Sequence, residues 1–209
     1  MFGVKTDYIT MVQELAYLRH IPRGSGGLAI DIGCGWGRMS KIFENIGYRA
    51  VGFDPDLDLL KFASSRGDGL YCAAALPDIP VRFGSADLAV LQNLLRPLHL
   101  VGKLESIRGI GRYMRPGGHV VVVDNIRTGH GDYVSEEVVS GIFAAEGLSL
   151  QKRITLRVSR RLTDYLMQLG LVPRRLAAGM AARELERSSR SSGASRWRYS
   201  NVMFVFRRA

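Results

Sequence analysis

Short apolar runs alternate with amphipathic stretches through most of this 209-residue chain. The runs predict strands at 28–32, 50–53, 69–73, 87–91 and 118–124. The stretches between them predict helices at 36–46, 56–66, 101–114 and 134–146. Ahead of these, residues 6–20 carry Ile9, Val12, Leu15, Ala16 and Leu18 at helical positions, with Thr6 or Asp7 as N-cap. Strand–helix alternation over short connections predicts a parallel sheet covered on both faces. "VVVVDN" at 120–125 is apolar on both faces, as a central strand must be, and "RPGG" at 115–118 supplies a sharp turn into it.

The pattern changes after residue 147. "LSLQKRITLRVS" (148–159) alternates like a strand, and "YSNVMFVFRR" (199–208) reads as a last strand. Between them Leu162, Tyr165, Leu166 and Leu169 recur at helical spacing, with Gly170 as a stop. Residues 173–187 predict a second helix, and "SSRSSGASR" (188–196) has the composition of a mobile linker. Residues 158–197 are therefore expected to form a helical, lid-like insertion, too long for a hairpin connection. The chain is read as one domain, 1–209, with residues 1–24 as an N-terminal helical cap.

Composition narrows the partners. No apolar run approaches the roughly 18–20 residues of a membrane span, and the N-terminus lacks the pattern of a signal peptide. Two cysteines, Cys34 and Cys72, make no disulfide framework, so a reducing cytoplasm is expected. No Cys/His cluster has zinc spacing, so no metal site is expected. The net charge of +10 is uneven: residues 1–150 hold 15 basic and 16 acidic side chains, residues 151–209 hold 14 and 3. Such a block suits an anionic partner. It equally suits a genome that favours arginine, with 24 Arg against 5 Lys.

The first strand runs into glycines: "LAIDIGCGWGR", with Asp31 ahead of Gly33, Gly35 and Gly37. A dinucleotide fingerprint would need glycine at position 38, which is arginine here. The G-x-G-x-G form after an acid leaves backbone room for a nucleoside bearing an amino-acid chain, and Asp31 can face its amine. Asp54 ends the next strand, 23 residues on, where a carboxylate can accept from a ribose diol.

"LAIDIGCGWGR", "VGFDPD", "IPVRFGSADLAVLQNLL" and "IRGIGRYMRPGGHVVVVD", in this order, resemble the class I S-adenosylmethionine-dependent methyltransferases over roughly residues 25–125. The resemblance implies an α/β fold with a seven-stranded, mostly parallel sheet of order 3-2-1-4-5-7-6 and helices on both faces. One antiparallel strand, "YSNVMFVFRR", would lie beside the strand at 118–124, with the helical insertion before it. It implies S-adenosyl-L-methionine as cofactor. Asp31, Gly33, Cys34 and Gly35 would surround its methionyl part, Asp54 its ribose and Pro55 its adenine. Leu91 and Gln92 would lie near the sulfonium. Ala74, Ala75 and Leu76 stand where many relatives carry Asp-Ala before "LP", so adenine N6 falls to backbone groups or to Asp78.

Methyl transfer needs mainly positioning, and a base only for a hydroxyl or protonated amine. His99, His130 and Tyr133, with Asp132 nearby, lie beyond strand ends where a site is expected, and are the catalytic candidates. Arg160, Arg161, Arg174 and Arg175 open the insertion's two helices, where free N–H groups also favour an anion. With Tyr8 on the first helix, they are the candidate acceptor contacts. The expected function is methylation of a small or medium anionic metabolite, nucleotide-linked or phosphorylated, in bacterial secondary metabolism. A second reading is an RNA methyltransferase using the basic C-terminal region. A third is a non-catalytic cofactor-binding scaffold subunit.

Overall fold

A computed structural model describes residues 4–67, 69–95, 100–127, 134–158, 169, 172–190 and 199–209. Helix α1 (Val4–His20) leads into β1 (Leu28–Ile32), α2 (Ser40–Asn45), β2 (Arg49–Asp54), α3 (Leu57–Ser64) and β3 (Leu70–Ala73). Then follow β4 (Ala86–Gln92), α4 (Leu100–Ile107), α5 (Ile110–Tyr113), β5 (Met114–Ile126) and α6 (Glu136–Ala145). The last elements are β6 (Leu148–Val158), α7 (Arg174–Ser189) and β7 (Ser200–Arg208). The seven strands form one sheet of order β3-β2-β1-β4-β5-β7-β6. The first five strands run parallel, and β7 runs antiparallel between β5 and β6. The expected order is therefore met.

Two expected helices are cut short or broken at a glycine. The expected helix 36–46 begins only at Ser40, because Gly37 has φ +72°, outside the right-handed helix. The expected helix 101–114 breaks into α4 and α5 at Gly109, with φ +76°. Strand β5 is longer than expected at its start. "RPGG" makes an irregularity inside it: Met114 pairs with Ala86, but His119 pairs with Leu88.

Alternation in β5 splits the core into two layers. Val121 and Val123 pack with Val12, Tyr17, Phe43, Leu88 and Met203 on the α1 side. Val120 and Val122 pack with Ile30, Phe53, Phe143 and Phe204 on the other. Capping fixes the short helices: Asp56 accepts from the N–H groups of Asp58 and Leu59 at the start of α3. Ser135 caps α6, whose first turn carries Glu136 and Glu137, where the helix dipole favours acids.

The buried side of α1 is Tyr8, Val12, Gln13, Ala16 and Tyr17, and Leu18 is exposed, so the face is turned from the apolar spacing alone. Tyrosine area and a buried glutamine replace aliphatics there. Helix α7 is held by a buried polar triad. Glu184 accepts from the Tyr8 hydroxyl (2.6 Å) and from Arg157 Nε (3.0 Å), joining α7 to α1 and β6. The helix expected around Leu162–Gly170 falls outside the described residues, apart from Leu169, and so do 191–196 of the expected linker. Ser188 and Ser189 belong to α7.

Candidate functional site

The parallel strands end on one edge. Ile32 pairs with Phe53 on one side and Leu91 on the other, and Asp54 pairs with Ala73. Asp31, Asp54 and Gln92 therefore meet at the carboxyl ends of adjacent strands, where open α/β sheets bind ligands.

The three glycines of the first turn all have positive φ: Gly33 +69°, Gly35 +54°, Gly37 +72°. Their surroundings differ. A Cβ on Gly33 would lie 2.8 Å from Leu94 Cδ1. A Cβ on Gly37 would run into the Tyr71 ring, which Gly52 and Gly69 also accommodate. A Cβ on Gly35 would meet nothing within 4 Å. Of the three, Gly35 alone faces open space, so the close-approach argument holds there. Gly37 is glycine partly to seat a tyrosine.

The loop is locked by its own amides. Gly33 and Cys34 donate to the Phe53 carbonyl (2.8 and 3.0 Å), and Gly37 donates to the Cys34 carbonyl (3.0 Å). Gly35 donates to Asp54 Oδ2 (2.8 Å), and Asp56 donates to Asp54 Oδ1 (2.9 Å). Asp54 is nearly buried and held by one backbone bond per oxygen, which leaves further lone pairs for a diol.

Asp31 is 2% exposed. Burial pushes its carboxyl up to about 7; Arg38 and the Ser40 hydroxyl pull it down, and Asp54 pushes it further up. Burial also raises the Cys34 thiol, with Asp31 and Asp54 adding to it, so Cys34 stays protonated. Burial and Asp31 raise the Tyr17 hydroxyl, opposed by Arg38.

Helix α1 closes this edge through polar side chains. Arg38 Nη1 donates to Thr10 Oγ1 and to Gln13 Oε1, both at 2.9 Å. Gln92 Nε2 donates to the same Gln13 oxygen (2.6 Å), and the Tyr17 hydroxyl donates to Gln92 Oε1 (3.1 Å). Gln13 reaches Asn201 (3.4 Å), and Asn201 donates to Asn125 (3.2 Å). Sequence reasoning missed Thr10, Gln13, Tyr17, Asn125 and Asn201. The one available signal was Gln13 inside an otherwise apolar helical stripe.

The family model described as a methyltransferase domain matches residues 30–122. That span holds the glycine turn, Asp54, the end of β4 and most of β5. Residues 30–122 are thus similar to a methyltransferase domain, and the described chain has the fold of solved methyltransferases. Geranyl diphosphate C-methyltransferase from Streptomyces coelicolor, solved with Mg2+, geranyl diphosphate and S-adenosyl-L-homocysteine, is 15% identical. It covers 94% of this chain and 80% of that one, with TM-score 0.67. Magnesium protoporphyrin IX methyltransferase from Synechocystis PCC 6803, solved with bound S-adenosylmethionine, is 13% identical, with coverage of 98% and 79% and TM-score 0.61. The cyclase SpnF is 17% identical, with coverage of 95% and 80% and TM-score 0.68. At such identities the likeness is one of fold, and a fold hosts more than one chemistry. No curated protein matches the chain.

The methyltransferase site fits its cofactor, with open space at Gly35 between two carboxylates. Other expected residues lie less simply. Leu91 and Leu76 are buried in the core, which leaves only their backbone for a ligand, while Pro55 and Ala75 are exposed. The Gln92 amide is taken up by Gln13 and Tyr17. Tyr8 is 1% exposed and bonded to Glu184, which corrects its expected place as an open acceptor contact: it anchors α7 instead. His99, His130, Asp132, Tyr133, Arg160 and Arg161 lie outside the described residues. Arg174 and Arg175 open α7, with only their backbone described.

Part of the C-terminal charge is used within the fold, while Arg183, Arg187 and Arg190 gather with Glu186 on α7. Arg157 is buried against Glu184, Arg153 pairs with Glu136, and Arg208 donates to the Gly111 and Met114 carbonyls. Lys152 and Arg207 lie near the start of β5, at the edge opposite the cofactor side. There burial, then Arg207, Lys152 and Arg115, lower the His119 pKa. Burial, Lys152 and Arg19 do the same to His20. Among the described residues no helix is long and apolar enough to cross a membrane.

Proposed function

We propose that this methyltransferase acts on a small or medium anionic acceptor, a phosphorylated or nucleotide-linked metabolite in the cytoplasm. Bound S-adenosylmethionine supplies an activated methyl and its own leaving group, so the protein's work is orientation. Asp31 and the Gly33–Gly35 turn hold the methionyl end, and Asp54 holds the ribose. Residues 158–197 cover the acceptor, and Arg160, Arg161, Arg174 and Arg175 meet its negative charge. His99, His130 or Tyr133 removes a proton where the acceptor carries one.

The observation that carries the cofactor part is the open face of Gly35 between Asp31 and Asp54. The anionic acceptor is supported by the diphosphate substrate of a structural neighbour that covers most of this chain. A small acceptor is favoured over RNA by the placement of Arg19, Lys152 and Arg207, described cations on the edge away from the cofactor side.

The test is turnover of S-adenosylmethionine against matched acceptors that differ in a phosphate or diphosphate. Activity that follows the phosphate supports the reading. Activity on neutral partners or on structured RNA alone, weakening steeply with salt, overturns it.

A further inference from the structure

Amide side chains form a row under α1 at the carboxyl ends of the central strands. Gln92 ends β4 and pairs with Val123, and Asn125 stands two residues further along β5. Asn201 pairs with Asn125 from β7, and Gln13 reaches both Gln92 and Asn201 from α1.

The sense of these amides is dictated from one end. A guanidinium only donates, so Gln13 must show Arg38 its oxygen, and it does so at 2.9 Å. The Gln13 nitrogen is left to donate to Asn201 Oδ1 (3.4 Å). Asn201 Nδ2 in turn donates to Asn125 Oδ1 (3.2 Å). Asn125 Nδ2 ends the chain, and among the described residues it has no acceptor. Gln13 and Asn201 are buried, whereas Asn125 is half-buried. Its backbone is fixed as well: Asp124 accepts from the N–H groups of Asn125 (2.7 Å) and Leu95 (2.8 Å), which ties the end of β5 to the loop after β4.

We propose that Asn125 is a specificity-determining residue of the acceptor site, its outward NH2 group donating to an oxygen of the acceptor. Arg38, Gln13 and Asn201 are positioning residues that hold the amide in that sense. This rests on the anionic-acceptor reading above and deepens it. A phosphoryl oxygen fits at the end of β5, and an amine or amide N–H there is rejected, because two donors would face each other.

The sense can be reversed from a distance. Gln13→Glu keeps the shape of Gln13 but offers only oxygens. Asn201 must then turn to donate to it and Asn125 must turn to donate to Asn201, which leaves an oxygen outward. Nitrogen-15 spectra of the full chain with S-adenosylhomocysteine follow the side-chain NH2 groups, and Asn125→Ala identifies the Asn125 signal. In the parent protein the Asn125 NH2 protons should exchange with water roughly tenfold or more faster than those of Asn201, and Gln13→Glu should slow them. Inorganic pyrophosphate is the acceptor-side probe, titrated by calorimetry onto the S-adenosylhomocysteine-loaded chain. Asn125→Ala and Gln13→Glu should each weaken it by about 10–100-fold, the scale of a lost charge-assisted hydrogen bond, and Asn125→Ala should leave S-adenosylhomocysteine within about twofold. In a Gln13→Glu chain, Asn125→Ala should change pyrophosphate binding little further. Where the glutamate variant does not fold, the parent spectra and Asn125→Ala carry the comparison. An Asn125 NH2 group as protected as that of Asn201, or a pyrophosphate affinity unchanged by Asn125→Ala, overturns the assignment. Parent protein that binds S-adenosylhomocysteine but not pyrophosphate sinks the anionic acceptor itself, and the oxygen partner of Asn125 with it.

Discussion

Gly35 donates its backbone N–H to Asp54 Oδ2 across 2.8 Å, so the glycine turn after β1 is fastened to the end of β2. One carboxylate therefore shapes the turn and, in the function proposed above, also holds the ribose. Asp54→Ala removes both roles. S-adenosylhomocysteine affinity should fall roughly 10–150-fold, the scale of lost charge-assisted hydrogen bonds. The sheet should survive, because Phe53 and Gly52 still pair with β1. Calorimetry alongside circular dichroism checks this, and an unchanged affinity would place the ribose elsewhere.

Gly35 and Gly37 should respond differently to alanine, although both have positive φ. Each pays the left-handed penalty of about 1–2 kcal/mol. At Gly35 the new methyl enters open space, so the main loss should be cofactor affinity. At Gly37 it strikes Tyr71, so the main loss should be stability, and Tyr71→Ala in the same chain should return part of it. Thermal melts with and without S-adenosylhomocysteine separate the two. Identical behaviour of both variants would show that the turn acts as one rigid unit.

The strands were legible because strand–helix alternation is a local signal, whereas their order followed from the resemblance carried by the glycine turn and the segments after it. Asp31 and Asp54 were legible from local signals too, each ending a predicted strand. The breaks at Gly37 and Gly109 were not, because periodicity continues through a residue whose backbone does not. The polar network was hidden by distance: Gln13 meets Arg38 25 residues on and Gln92 79 residues on. Tyr8 was misread because its partner Glu184 lies 176 residues away and no local pattern announces it.

Glu184 should matter to stability more than to chemistry. Its carboxylate is 5% exposed and binds Arg157, itself 9% exposed, and the Tyr8 hydroxyl. Removing one partner of a buried pair costs roughly 3–5 kcal/mol. For a domain of this size that is about 6–20 °C in Tm. Glu184→Ala should show a loss of this order, and the double change Arg157→Met with Glu184→Leu should cost less, since no buried charge is left behind. A shift under about 2 °C for Glu184→Ala would mean that α7 is held by its apolar contacts alone.

Asp31 should make both stability and cofactor binding depend on pH, in opposite directions. Its folded pKa of about 7 lies above the ordinary 3.8. Between those values the folded chain holds a proton that the unfolded chain has released, so stability from this group rises as pH falls from about 7 towards 4 and is lost above 7. The slope is up to about 1.4 kcal/mol per pH unit. The groups facing Asp31 are Arg38, Asp54, Ser40, Cys34 and Tyr17, and the thiol and phenol stay protonated throughout this window. Asp31→Asn should therefore be more stable than the unliganded parent at pH 8 and nearly equal to it at pH 4.5. Binding runs the other way. The cofactor's ammonium needs the ionised carboxylate, so S-adenosylhomocysteine affinity should drop below pH 7, by as much as tenfold per unit, while Asp31→Asn binds weakly with no such dependence. Denaturant titrations and calorimetry at pH 5, 6, 7 and 8 measure both arms. A flat affinity profile for the parent protein would mean that Asp31 is not the group that meets the ammonium.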